Sequence, residues 1–298
     1  MRQAFFTDRE NGPIIQDKED IPFTVFNGCI SLYNKYKLNF AGDFPEYCPD
    51  GDSIICGFNE NQFKQALLAV IPDFTLSEYG HIIAISNEDE YNQYALLDFV
   101  EFCWMHIKKA TVIGNHNFFG HQHYEISDGK LIRNEYVDDV NQMFQRNGLA
   151  YEMKITGHID RILPAELDVL IRQIKHYGSD NKLNELIDLA VKKIYQPDVL
   201  DRQVALEKLW DAYERMKTYY VEKNKKLSAN QLIHDVSEGS TLFEEYLQDE
   251  FKTLTSIGNG FRIRHHETDK AEIISTKHLD YLFYRMLALI SLVTAYLR

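Results

Sequence analysis

The chain has 298 residues, 45% of them hydrophobic and 26% charged, with 15 glycines and 7 prolines. That suits one large or two ordinary globular domains and excludes collagen-like, low-complexity and evidently disordered classes. The net charge of −13 argues against indiscriminate nucleic-acid binding. It is uneven: residues 1–163 hold 13 Lys+Arg against 24 Asp+Glu, and residues 164–298 hold 19 against 21, so the C-terminal half is the less handicapped for RNA.

The N-terminal half reads as mixed α+β. Pro22–Leu38 is predicted as a helix, because Phe26, Cys29, Ile30 and Tyr33 recur at helical spacing. A turn-rich stretch follows, FAGDFPEYCPDGDS, broken by Pro45, Pro49 and Gly51; its acidic residues lack the ligand spacing of a calcium loop. Gln62–Val70 is a short helix, and His81–Ile85 reads as a short strand. Glu90–Lys109 is an amphipathic helix with Leu96, Val100, Cys103, Trp104 and Ile107 on its apolar stripe. Val137–Arg146 is a helix stopped by Asn147-Gly148. Tyr151, Met153 and Ile155 then alternate before Thr156-Gly157, the pattern of a small β-hairpin.

From Pro164 the chain reads as helix after helix: Pro164–Tyr177, Asp180–Gln196, Asp198–Glu222, Ser228–Val236, Ser240–Ile257 and His278–Leu297. Gly258-Asn259-Gly260 reads as a break. A boundary near Pro164 therefore divides an α+β domain (1–163) from an all-α bundle (164–298), a mainly α protein. The last apolar stretch is interrupted by Asp280 and Arg285 and reads as a bundle or dimer helix, not a membrane anchor. No signal peptide is apparent, and Cys29, Cys48, Cys56 and Cys103 have no CxxC spacing, so reduced thiols in the cytoplasm are expected.

Two segments concentrate chemistry. Gly258–Asp269, GNGFRIRHHETD, holds Arg262, Arg264, His265, His266, Glu267 and Asp269 between two apolar helices. Arginine holds phosphate bidentately, histidine moves protons near neutral pH, and a carboxylate orients an imidazole. The same residues are equally a solvated loop or a salt-bridge cluster. Asn115–His123, NHNFFGHQH, carries His116, His121 and His123, with Asp128 nearby. Alternate strand residues face one way, so His-x-His suits a metal, but no fourth ligand stands at a recognisable spacing and the histidines equally suit packing. No metal or other cofactor is assigned. Arg172 and His176 share a helical face, Lys223–Lys226 is a short basic patch, and Arg285 calls for a carboxylate, Asp280 or Glu267, or an interface. No dinucleotide fingerprint, Walker A, G-x-S-x-G or H-E-x-x-H pattern occurs.

FFTDRENG (5–12), FPEYCPDG (44–51), LLDFVEF (96–102) and above all VNQMFQRNGLAYEM (140–153) leading to GHIDRIL resemble the N-terminal domain of AbiJ-type abortive-infection proteins, thought to sense or to bind a partner. The C-terminal half resembles the HEPN-type helical domain that commonly follows it. The resemblance implies a phage-defence effector, a homodimeric, metal-independent endoribonuclease acting on RNA as a toxin, with a partner protein encoded alongside as a further expectation. It implies that Arg262 or Arg264 binds the scissile phosphate, and that His265 or His266 acts on the 2′-hydroxyl or the leaving group. Arg262 and His266 stand closer together than in the HEPN motif. Either RIRHHE is a variant site, or the domain is a non-catalytic sensor or scaffold that dimerises and binds a partner.

Overall fold

The computed structural model describes residues 5–12, 14–50, 53–174, 180–263 and 270–297, apart from the side chains of residues 165, 166 and 173. The chain forms two compact units, residues 1–162 and 163–298.

The first unit runs α1 (Phe6–Asn11), α2 (Phe23–Tyr36), a 3-10 turn (Lys37–Phe40), β1 (Pro45–Tyr47), β2 (Ile55–Phe58), α3 (Glu60–Val70), α4 (Gln93–His106), β3 (Lys109–His116), β4 (His121–Ser127), α5 (Lys130–Asn147), β5 (Tyr151–Met153) and β6 (Ile159–Arg161). Asparagine starts two helices: Asn59 accepts the Gln62 N–H, and Asn92 accepts those of Tyr94 and Ala95. Gly148 ends α5 in the left-handed conformation that glycine adopts without strain. The core is aromatic: Tyr33, Phe40, Phe63, Phe99 and Phe144 are fully buried, with ring centroids of Tyr33 and Phe63 5.3 Å apart.

β5 and β6 pair antiparallel, Tyr151 with Arg161 and Met153 with Ile159, so the small hairpin lies where alternation placed it. A four-stranded antiparallel sheet of order β1-β2-β4-β3 accompanies it. β1 emerges from the stretch read as turns, and NHNFFGHQH supplies the end of β3, the turn and the start of β4. His81–Ile85 is not a strand. Its backbone is satisfied differently: the Asn27 amide donates to the Ile85 carbonyl (2.9 Å) and accepts the Ile85 N–H (2.8 Å), replacing a neighbouring strand. The helix predicted over Pro22–Leu38 is α-helical only to Tyr36 and then tightens.

The second unit is all-helical among the described residues: α6 (Ala165–Gln173), α7 (Asn181–Ile194), α8 (Val199–Met216), α9 (Lys225–Val236), α10 (Thr241–Gly260) and α11 (Thr276–Thr294). Asp180, Asp198, Asn224 and Ser240 each accept a backbone N–H at a helix start. α11 packs on α8, and Phe283, Met286, Leu287, Ile290 and Val293 are buried, so it is a bundle helix. No helix among the described residues is long and apolar enough to cross a membrane.

Two expectations here are corrected. The helix read over Asp198–Glu222 ends at Met216, where Thr218 and Tyr219 N–H groups turn back to Arg215 and Met216 carbonyls. Gly258-Asn259-Gly260 does not break α10, which runs through Gly260. A Cβ on Gly258 would lie 2.3 Å from Trp210 Nε1, so this glycine admits the α8 indole, not a turn.

Candidate functional sites

The joint between α10 and α11 is pinned at its base. Phe261 and Ala271 form a parallel bridge; Arg262 N–H donates to the Ala271 carbonyl (2.9 Å), and Ala271 N–H to that of Gly260 (3.1 Å). Ile263 is buried beside it. Arg262 is exposed, and its Nε donates to the Lys270 carbonyl at 2.9 Å. Arg264, His265, His266, Glu267 and Asp269 lie outside the described residues, so of the predicted site only Arg262 has a described position.

Arg285 is held by Glu250 of α10, with Nε and an Nη donating to the two carboxylate oxygens at 2.8 and 2.7 Å. These hydrogen bonds, opposed by burial and reinforced by the Glu250 charge, raise the guanidinium above its usual range. Neither expected partner is the bidentate one: Asp280 stands 3.9 Å from the buried Arg202, and Glu267 lies outside the described residues. Arg172 pairs with Asp168 one turn back at 2.7 Å, while His176 is outside the described residues. In the basic patch, Lys225 binds Glu214, the ordinary tie of a solvated helix end.

The histidine cluster is assembled by strand register. His116 pairs with His121 and Gly114 with His123, which puts all three imidazoles on one face of the hairpin. Their centroids are 5.3 to 5.6 Å apart. Two residues absent from the predicted set join them from the β1–β2 connector. Cys48 Sγ, on a buried residue, lies 3.3 Å from His121 Nε2, and Asp50 hydrogen-bonds His116 Nε2. The connector is held by Cys48 N–H donating to the Ile54 carbonyl at 2.9 Å. Sequence separations of 73 and 66 residues hid this meeting, though the FPEYCPD stretch did stand out. Asp128 is not part of it: it caps Lys130 N–H at the start of α5 and is held below the usual carboxylate range first by the Arg133 hydrogen bond. The thiols of Cys29 and Cys103 are pushed up by complete burial, Cys29 to about 12, which leaves them inert.

An α+β unit built around an aromatic core, followed by a helical unit with a pinned polar joint, defines a two-module chain. The family model of AbiJ N-terminal domain 4 matches residues 4–176, and the chain belongs to that family. The AbiJ domain marks an abortive-infection, phage-defence protein. No curated protein and no solved structure matches the chain.

Proposed function

We propose that the chain is a phage-defence effector whose C-terminal unit is a HEPN-like ribonuclease, cleaving RNA without a metal at the α10–α11 joint. The observation that carries this reading is Arg262: an exposed guanidinium beside the Phe261–Ala271 bridge, in a sequence that continues Ile-Arg-His-His-Glu. A permanently charged fork suits a scissile phosphate. In the proposed step Arg262 or Arg264 holds the phosphate, and His265 or His266 takes the 2′-hydroxyl proton or protonates the leaving 5′-oxygen. Glu267 orients an imidazole. The P–O5′ bond breaks as the 2′-oxygen attacks, leaving a 2′,3′-cyclic phosphate and a 5′-hydroxyl. Two copies pair their motifs in a homodimer in this reading, and the N-terminal unit senses the trigger or holds a partner.

The second reading is a non-catalytic sensor or scaffold, in which the same segment locks the bundle. The bidentate Arg285–Glu250 pair favours it, because it already ties α10 to α11 by charge. RNA cleavage by the purified wild type beside Arg262→Ala and His266→Ala separates the two. The assay is run with added Mg²⁺ and with EDTA, and circular dichroism confirms folding in each. The nuclease reading expects EDTA-resistant cleavage to 5′-hydroxyl ends, lost in both variants. Cleavage retained by His266→Ala and also by His265→Ala contradicts the assigned roles.

A further inference from the structure

We propose that the β3–β4 hairpin and the β1–β2 connector together bind one zinc ion, through Cys48, Asp50, His121 and His123, with His116 as a positioning residue. Cys48, His121 and His123 each offer a ligand atom within 4.8 Å of the others, and Cys48 forms a second such group with Asp50 and His116. The two groups share the Cys48 sulfur; in the proposal Cys48, His121 and His123 hold the ion and Asp50 turns toward it as the fourth ligand. Bond lengths of about 2.3 Å to sulfur and 2.0 Å to nitrogen, at tetrahedral angles, put the two donors about 3.5 Å apart. The Cys48 Sγ to His121 Nε2 distance is 3.3 Å.

His123 supplies the independent observation. Its Nε2 is buried and has no hydrogen-bond partner among the described residues. A buried imidazole nitrogen without a partner costs free energy that a metal bond would offset. Both His121 and Gly114-paired His123 gain their direction from the strand, and Gly120 at a φ of +68° closes the turn between the strands. His116 is set differently. Phe119 N–H donates to its Nδ1 at 3.3 Å, which leaves the proton on Nε2 for Asp50. An imidazole donating to a ligating carboxylate fixes that ligand's orientation. One thiolate, two imidazoles and a carboxylate form a borderline-soft donor set that favours zinc over magnesium or calcium. Binding releases the Cys48 thiol proton. It ties the connector to the hairpin end, whose tip residue Phe118 is 87% exposed.

The proposal uses no residue of the α10–α11 joint, so the RNA-cleavage outcome leaves it untouched. The test is elemental analysis of the reduced full-length protein, then Co²⁺ loading of the stripped protein followed by absorbance. Expected are one zinc per chain, intense tetrahedral Co²⁺ bands and a thiolate charge-transfer band. Cys48→Ser removes the charge-transfer band. His121→Gln and His123→Gln each weaken Zn²⁺ binding at least 100-fold in a chelator competition. His116→Ala keeps the bands but weakens binding on the order of 10–100-fold. Each variant is compared with stripped wild type by circular dichroism, which must match. A folded protein that neither retains zinc nor develops tetrahedral bands overturns the proposal. So does a charge-transfer band that survives in Cys48→Ser, which would place the thiolate elsewhere.

Discussion

Gly258 is a residue whose role lies in the atom it lacks. Its missing Cβ leaves room for the Trp210 indole against α10. Gly258→Ala is expected to destabilise the C-terminal unit by about 1–3 kcal/mol through overpacking, measured as a lower melting temperature. An unchanged melt would mean the indole moves at no cost. Glu214 gives a pH-dependent expectation. Burial pushes its carboxyl up, but hydrogen bonds from Lys217 and Lys225 and their charges outweigh this, so it sits below its ordinary value of 4.5. A depressed carboxylate contributes stability that is present above that value and lost as the pH falls through the lower folded-state value. Glu214→Gln should therefore flatten the acid side of the stability–pH curve, and an unchanged slope below pH 4.5 would contradict it. At this scale the sequence disclosed the three histidines, because His-x-His on one strand is local. It could not disclose Cys48 and Asp50, which reach them only through the β1-β2-β4-β3 pairing.

At the scale of elements, Arg285 and Glu250 tie α11 to α10, and both helices contribute side chains to the same apolar core. Both partners reach solvent in part, with side chains 27% and 20% exposed. Screening holds the pair to about 1–2 kcal/mol, below what a fully buried pair loses when broken. Arg285→Ala and Glu250→Ala should each lower the melting temperature by several degrees, and the double variant by less than their sum. Additive losses would show that the pair is not coupled. Periodicity revealed nearly every helix, since a buried stripe every 3.6 residues is a strong signal over a dozen residues. The strands of the larger sheet were harder to see. β1 has three residues and β2 four, and β3 exposes both Val112 and Ile113, so no clean alternation marks it. The missed end of α10 has a similar cause: a glycine reads as a breaker unless the tryptophan it faces is known.

For the whole molecule, family membership rests on residues 4–176, and the activity proposed belongs to the helices that follow. The uneven charge agrees with that division of labour: the strongly acidic half repels RNA, and the near-neutral half does not. The most direct test of the central claim is RNA integrity in phage-challenged cells carrying the wild type, His266→Ala or Arg262→Ala at equal protein levels. The account predicts RNA fragments with 5′-hydroxyl ends after infection in the wild type alone, together with protection of the culture. Intact RNA in protected cells, or protection by both variants, would contradict the ribonuclease and leave the scaffold reading in its place.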